Sequence, residues 1–86
     1  MRLLLIEDND RLRETLSTGL RAQGYNVDTA ADGLEGWRLA SEAEHDLIIL
    51  DRMMPGMDGI EILRRLRTSG SSVPVLMLTA RDAVPD

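Results

Sequence analysis

The chain contains no cysteine and no phenylalanine, and aromatic residues make up only 2% of it. Without cysteine it can form neither a disulfide framework nor a thiolate metal site. With so few aromatic residues, the core has to be built from leucine, isoleucine, valine, methionine and alanine. No apolar run approaches the roughly 20 residues that a membrane-spanning helix needs. We therefore expect a cytoplasmic domain that has no membrane partner.

Lysine is also absent, because all ten basic residues of the chain are arginine. The net charge is -5 at pH 7, which argues against a segment that grips nucleic acid through its phosphates. The length of 86 residues allows one small domain at most, and a hydrophobic fraction of 43% is enough for a single core.

Apolar segments of strand type alternate with amphipathic segments of helix type along the whole chain. Connections this short imply parallel strands that are joined by right-handed crossovers. The sequence therefore predicts an α/β fold with a doubly wound parallel sheet, in which the polar second strand is an exposed edge. The predicted strands are residues 2–6, 26–30, 46–50 and 73–78, and the predicted helices are 10–23, 32–43 and a third that opens at 58.

Each predicted helix has an apolar face and a polar residue at its start. The expected N-caps are Asn9 or Asp10, Asp32 and Asp58. His45, which lies between the second helix and the third strand, is expected to be exposed. The inward-facing residues are predicted to be Leu12, Leu16 and Leu20 in the first helix, Leu34, Trp37 and Ala40 in the second, and Ile62, Leu63 and Leu66 in the third.

Acidic residues follow directly after two of the predicted buried strands. Glu7 and Asp8 come after the first strand, and Asp51 comes after the third. Ligands of open α/β sheets bind beyond the carboxyl ends of the strands, so these carboxylates are expected to converge there. Like charges at close range repel, and such a cluster needs a cation or a protonated member. Hard oxygen ligands suit Mg²⁺, and an acidic pocket that holds Mg²⁺ can receive a phosphoryl group.

A simpler interpretation of Glu7 and Asp8 is a solvated turn that also caps a helix. The presence of Asp51 at a second strand end favours the metal pocket over this interpretation. The other acids near turns are interpreted as caps or surface charges, and Arg52, next to Asp51, is a candidate for steering a partner or a phosphate.

The fourth predicted strand is too apolar for an exposed edge, although no further strand follows it in the 86 residues. The leucine face of the first helix also lacks cover, since that helix would be alone on its side of the sheet. We expect one more strand and one or two helices, on the order of 30–40 residues, to supply this cover. The 86 residues alone are expected to be marginally stable or to self-associate, with a homodimer as one form.

Three segments resemble the receiver domain of bacterial two-component response regulators. They are residues 5–9, 49–59 and 78–80, and each lies at the end of a predicted strand. The sequences of residues 54–59 and 78–82 look most like the corresponding segments of transcription factors that carry a C-terminal winged-helix DNA-binding domain. The resemblance implies a flavodoxin-like fold with strand order 2-1-3-4. It also implies that residues 1–86 are the N-terminal two-thirds of a receiver domain whose fifth strand is missing.

The resemblance further implies that Asp51 is the phosphoacceptor, which takes a phosphoryl group from a sensor histidine kinase. Such a domain catalyses its own phosphorylation and dephosphorylation, but it is not an enzyme with an external substrate. DNA would be contacted only through a C-terminal output domain that is absent here. The implied ligands of Mg²⁺ are Glu7, Asp8, Asp51 and the backbone carbonyl of Met53, with Thr79 as the switch hydroxyl and the Ala80 backbone N–H as an assisting donor.

The chain departs from the family pattern because it lacks the lysine that pairs with the phosphoryl oxygens. A phosphorylation-incompetent fragment or an interaction module is therefore a second interpretation. A Mg²⁺-dependent phosphohydrolase is less favoured, because Met53 stands where such enzymes usually carry a second acid. A nucleotide-binding Rossmann-like domain is less favoured because acids, not a glycine-rich loop, follow the first strand.

Overall fold

A computed structural model describes residues 1–78 of the chain. Within this range, four strands alternate with three helices, as the pattern predicts. None of these helices combines the length and the apolarity that a membrane crossing requires. In chain order the elements are β1 (Arg2–Ile6), α1 (Asp10–Ala22), β2 (Asn26–Ala30), α2 (Gly33–Glu42), β3 (Leu47–Asp51), α3 (Gly59–Thr68) and β4 (Val75–Leu78).

The four strands form one parallel sheet in the order β2-β1-β3-β4. The doubly wound topology and the strand order 2-1-3-4 are therefore confirmed. β1 is central, with Ile6 opposite Ala30 of β2 and Leu50 of β3. The register brings the carboxyl ends of β1 and β3 side by side, which decides where the acidic residues meet.

All three helices begin at side chains that accept a backbone hydrogen bond from the residue three positions on. The caps are Asn9, Asp32 and Asp58, with donor–acceptor distances of 2.9, 2.8 and 3.0 Å. Each satisfies a backbone N–H that has no partner within its own helix. Asn9, not Asp10, caps α1, and the other two predicted caps are confirmed.

The two faces of the sheet carry two separate apolar clusters. α2 and α3 cover one face, where Leu4, Ile6, Ile48 and Leu50 point. α1 covers the other through Leu16 and Leu20, which pack against residues of β1, β2 and β3. Leu12 is 42% exposed at the end of the leucine face of α1, so that face is incompletely covered within residues 1–78.

The predicted inward face of α2 was partly wrong. Leu34 is 69% exposed, whereas Gly33 and Gly36 are buried. A Cβ on Gly36 would lie 2.5 Å from the Ile6 Cδ1 atom, so the helix approaches β1 more closely than any larger residue allows. This close approach turns Gly33 and Gly36 toward the sheet and leaves Leu34 outside, whereas Trp37 and Ala40 pack against the core as predicted.

The exposure predicted for His45 was also wrong. Its side chain is 1% exposed, and its Nε2 lies 2.9 Å from the Asp28 Oδ2 atom of β2. The same carboxylate oxygen accepts from the Arg2 Nε atom at 3.0 Å. Asp28, interpreted as a cap or surface charge, therefore bonds a residue that precedes β3 and the first residue of β1.

The described sheet has two edge strands, the polar β2 and the apolar β4. β4 is shorter than the predicted 73–78, because Pro74 has no backbone N–H to donate to the ladder and pairing begins at Val75. Leu76 is 52% exposed there, in accord with the expectation that this strand needs cover. Self-association through the β4 edge stays a prediction.

Candidate functional site

The carboxyl ends of β1 and β3 hold the only group of acidic, histidine or cysteine side chains within residues 1–78 that could jointly hold a metal ion. It consists of Glu7, Asp8 and Asp51, which each offer a carboxylate oxygen within 4.8 Å of the others. Asp51 is the last residue of β3, one position later than the predicted strand end, and pairs in register with Leu78 of β4. The convergence predicted from the sequence is therefore present.

Glu7 is the buried member of the acidic group, with 3% exposure. Its backbone N–H donates to the Ala30 carbonyl at 3.1 Å, which extends the β1–β2 pairing by one residue. Its carboxylate accepts from the Asn9 backbone N–H at 3.0 Å, and its carbonyl accepts from the Arg13 guanidinium at 2.9 Å. The cap and the first turns of α1 thus hold both the side chain and the backbone carbonyl of Glu7. Asp8, which lies between Glu7 and Asn9 in the sequence, is exposed.

Asp51 is half-buried and is held by the loop that follows it. Its Oδ1 atom accepts from the Met53 backbone N–H at 3.1 Å. The Arg52 N–H donates to the Leu78 carbonyl at 3.0 Å, and the Arg52 carbonyl accepts from the Gly59 N–H at 2.9 Å. These bonds tie the first residue of the loop to β4 and to the start of α3.

Residues 52–58, which we call the β3–α3 loop, reach the core through Met54, which is buried, and through Met57, which is half-buried and packs against the same cluster. Met54 is 7% exposed and belongs to the cluster beneath α2 and α3, whereas the Met53 side chain is 62% exposed. Gly56 has a φ of +80°, which a residue with a side chain rarely adopts, and it lets the loop turn back toward α3. The exposed Met53 side chain is consistent with a role for its backbone alone.

The electrostatics of the site favour a bound cation. Burial raises the pKa of Glu7, and the nearby charges of Asp51 and Asp8 raise it further, against the lowering effect of the Asn9 hydrogen bond. No side-chain cation within residues 1–78 forms an ion pair with any of these three acids. A set of carboxylate oxygens without a cationic partner fits a hard divalent ion such as Mg²⁺.

Two of the residues implied by the resemblance, Thr79 and Ala80, lie outside the described residues. Two contacts, by contrast, were missed by sequence reasoning. Arg13 reaches back six positions to the Glu7 carbonyl, and Gly33 packs against Met57 of the β3–α3 loop. Nothing local in the sequence indicates the second contact, because Gly33 and Met57 lie 24 positions apart and only the fold brings them together.

The fold and the site define a class: a doubly wound parallel α/β domain with a cluster of acidic residues where the first and third strands end. The chain belongs to the response regulator receiver domain family, which matches residues 3–86. Receiver domains of this family operate in two-component systems and bind Mg²⁺ at an acidic pocket.

Curated relatives and solved structures agree with this assignment. The chain is 51% identical over 86 residues to the transcriptional regulatory protein HprR of Escherichia coli (strain K12); this alignment covers 100% of the chain and 38% of HprR. The Francisella response regulator 1452 receiver domain superposes with a TM-score of 0.90 at 32% identity, over 94% of this chain and 67% of that one. TrrA of Thermotoga maritima, solved in complex with Mg(2+)-BeF, gives a TM-score of 0.88 at 34% identity, over 95% of this chain and 71% of that one.

Proposed function

We propose that this chain is a phosphoacceptor module in which Asp51 receives a phosphoryl group from a sensor histidine kinase. The observation that carries the proposal is the convergence of three carboxylates within 4.8 Å at the strand ends. The match to the receiver family and the Mg(2+)-BeF bound in the similar TrrA structure support it. We further propose that the signal passes to DNA through an output domain, since HprR is a transcriptional regulatory protein and the chain spans 38% of its length.

Asp51 is the proposed nucleophile. Because its Oδ1 atom is engaged by the Met53 N–H, we assign attack on phosphorus to Oδ2. The oxygen–phosphorus bond forms as the phosphorus–nitrogen bond to the kinase histidine breaks, and Asp51 becomes an aspartyl phosphate. Positioning and neutralisation of charge carry most of the catalysis in such transfers, so a fixed carboxylate is a sufficient nucleophile.

The proposed metal ligands are Glu7, Asp8, Asp51 and the backbone carbonyl of Met53. When bound, Mg²⁺ would neutralise charge on the transferring phosphoryl oxygens. Glu7 and Asp8 hold the negative charge that recruits the ion, and the Asn9 N–H fixes the orientation of the Glu7 carboxylate. Thr79 and Ala80 are proposed as the switch hydroxyl and as a backbone donor.

Intact mass measured after incubation with Mg²⁺ and acetyl phosphate tests the proposal. One phosphoryl adduct is expected on the 86-residue chain, formed with release of acetate. Asp51→Asn is expected to show none, whereas Asp10→Asn removes an exposed acid of the same type nearby and is expected to keep the adduct. An adduct that persists in Asp51→Asn would contradict the assignment of the acceptor.

The same incubation, together with an assay of turnover on a generic phosphate ester, separates the alternatives. The chain has no lysine to pair with the phosphoryl oxygens, and a folded chain that binds Mg²⁺ but forms no adduct would favour the phosphorylation-incompetent interaction module. Sustained turnover of a generic phosphate ester would favour the phosphohydrolase. In the leading proposal the chain modifies only itself and has no external substrate.

A further inference from the structure

Gly33, the first residue of α2, contacts the β3–α3 loop from outside the acidic site. A Cβ built on Gly33 would overlap the Met57 backbone carbonyl oxygen and would lie 2.9 Å from the Met57 Cβ atom. Gly33 is buried and is not in the left-handed region, so backbone conformation does not explain the glycine. The close approach of the loop backbone explains it.

We propose that Gly33 is a positioning residue for the metal pocket, and that it sets the place of the loop that presents the Met53 carbonyl. This inference rests on the proposed function. The loop is anchored at one end by Asp51 and Arg52 and in its middle by the buried Met54. Near its end, Met57 rests on Gly33 with its backbone and packs its side chain against the cluster beneath α2 and α3, so α2 supports the part of the loop that the bonds of Asp51 do not reach.

The loop, and not the helix, would yield to a side chain at position 33. α2 is held by its Asp32 cap and by the contact of Gly36 with the Ile6 side chain on the central strand. The loop is irregular and contains Gly56, whose φ of +80° gives it freedom to adjust. A methyl group at position 33 would therefore displace Met57. Because Met57 and Met54 pack against the same cluster, we expect Met54 to shift with it and to carry the displacement to the adjacent Met53 carbonyl.

The structure offers two matched glycine controls. Gly36 lies one turn along the same helix and is equally close-packed, but its added Cβ would meet the Ile6 side chain and not the loop. Gly19 lies in α1, where an added Cβ would meet nothing within 4 Å. Alanine at these three positions separates an effect on the loop from destabilisation and from helix propensity.

Mg²⁺ affinity, measured by isothermal titration with the metal alone, is the first readout. Gly33→Ala is expected to weaken binding by about 10-fold, as removal of an outer-shell support typically does. Gly36→Ala is expected to lower the melting temperature while its folded form binds Mg²⁺ within about twofold of wild type. Gly19→Ala is expected to keep the affinity and to gain slightly in stability, since alanine is the better helix former.

Amide hydrogen exchange in the metal-free protein is the second readout. Gly33→Ala is expected to speed exchange at Met53 and Gly59, whose N–H groups bond Asp51 and Arg52. Gly36→Ala is not expected to single out these two amides. Uniformly faster exchange in Gly33→Ala would overturn the inference, because it would indicate general destabilisation.

Met57→Gly tests the same contact from the loop side and applies if Gly33→Ala does not fold. It removes the Met57 side chain, whose Cβ rests on Gly33 and whose outer part packs against the cluster beneath α2 and α3, and it is expected to weaken Mg²⁺ binding in the same direction. Wild-type affinity in a folded Gly33→Ala or in Met57→Gly would overturn the positioning role. If the wild type itself binds no Mg²⁺, the proposed metal pocket fails, whereas the exchange experiment still reports whether Gly33 holds the loop.

Discussion

Carboxylates at the two ends of the sheet have pKa values that are shifted in opposite directions. Toward the amino-terminal end, Asp28 is bonded by Arg2 and His45, and these partners lower its pKa, His45 most strongly. At the carboxyl end, Glu7 lies beside Asp8 and Asp51, and burial raises its pKa. The first arrangement favours the ionised acid in the folded chain, and the second disfavours it.

The difference shows which acidic residues add to the free energy of unfolding and which reduce it. A carboxylate whose partners lower its pKa contributes to folding at neutral pH, whereas a buried carboxylate among like charges subtracts from it. A bound cation, such as the proposed Mg²⁺, would reverse this subtraction at the strand ends. The acids that converge without a cationic side chain therefore form the proposed site, and the bonded Asp28 belongs to the frame that supports it.

The largest expected effect is on metal binding by Asp8→Asn. Loss of a direct ligand is expected to weaken Mg²⁺ binding by about 100-fold or more, beyond the 10–100-fold typical of outer-shell changes. Titration calorimetry measures it, with Asp10→Asn as the control because Asp10 is an exposed acid two residues away. Equal losses in both variants would mean that general charge, and not a ligand, had been removed.

The second effect concerns the opposite end of the sheet. Asp28→Ala is expected to cost about 1–3 kcal/mol of unfolding free energy, because it leaves the His45 Nε2 atom without its acceptor in a side chain that is 1% exposed. Glu42→Ala, which breaks an exposed pair with Arg38, is expected to cost less than about 1 kcal/mol.

Urea unfolding compares these two alanine variants, and Mg²⁺ affinity is expected to be unchanged in both. Equal destabilisation by Asp28→Ala and Glu42→Ala would remove the distinction between the buried pair and the surface pair. A changed Mg²⁺ affinity in Asp28→Ala would show that the two ends of the sheet are coupled and would contradict the expectation that Asp28 serves stability alone.

The sequence was sufficient to predict most of the frame. Apolar runs, short crossovers and the residues Asn9, Asp32 and Asp58 led to the strands, the parallel sheet and the helix starts, because these depend on local patterns. The acids at the strand ends were predicted to meet because parallel strands fix that geometry. The structure agrees, with Glu7, Asp8 and Asp51 in one group.

The parts that sequence reasoning missed depend on contacts between distant segments. His45 is buried because β2 supplies Asp28 seventeen positions away in sequence, and nothing local to His45 indicates this. Leu34 has the spacing of a core residue, yet close packing of Gly36 on Ile6 centres the inward face of α2 on the glycines, Trp37 and Ala40 and leaves Leu34 exposed. The spacing of apolar residues predicts how wide the apolar face of a helix is. How closely the helix approaches the sheet decides how the helix is rotated about its axis.

The third effect is a gain in stability. Glu7→Gln keeps the shape of the side chain and removes a charge that burial and two neighbouring acids disfavour. In the metal-free variant, the free energy of unfolding at neutral pH is expected to be about 1 kcal/mol higher than in the wild type. For a domain of this size, that corresponds to a rise of several degrees in melting temperature. Its Mg²⁺ affinity is expected to fall. Thermal melts with and without Mg²⁺ measure both, and a less stable metal-free variant would contradict the cost assigned to Glu7.

The smallest effect is a dependence of metal-free stability on pH. The pKa of Glu7 is raised in the folded chain. Its contribution to folding stability is therefore complete below the usual glutamate pKa of about 4.3, and it is lost as the pH rises through the raised pKa. Asp28 has the opposite sign, since its contribution is present above about 3.9 and is lost as the pH falls through its lowered pKa. Above the usual glutamate pKa of about 4.3, the Glu7 contribution falls as the pH rises, whereas the Asp28 contribution stays complete.

The unfolding free energy of the wild type relative to Glu7→Gln should therefore fall as the pH rises from about 4.3 through the raised pKa of Glu7. Saturating Mg²⁺ should remove the fall, and Asp28→Ala should retain it. A wild-type curve parallel to that of Glu7→Gln would show that Glu7 ionises as freely in the folded chain as in the unfolded one.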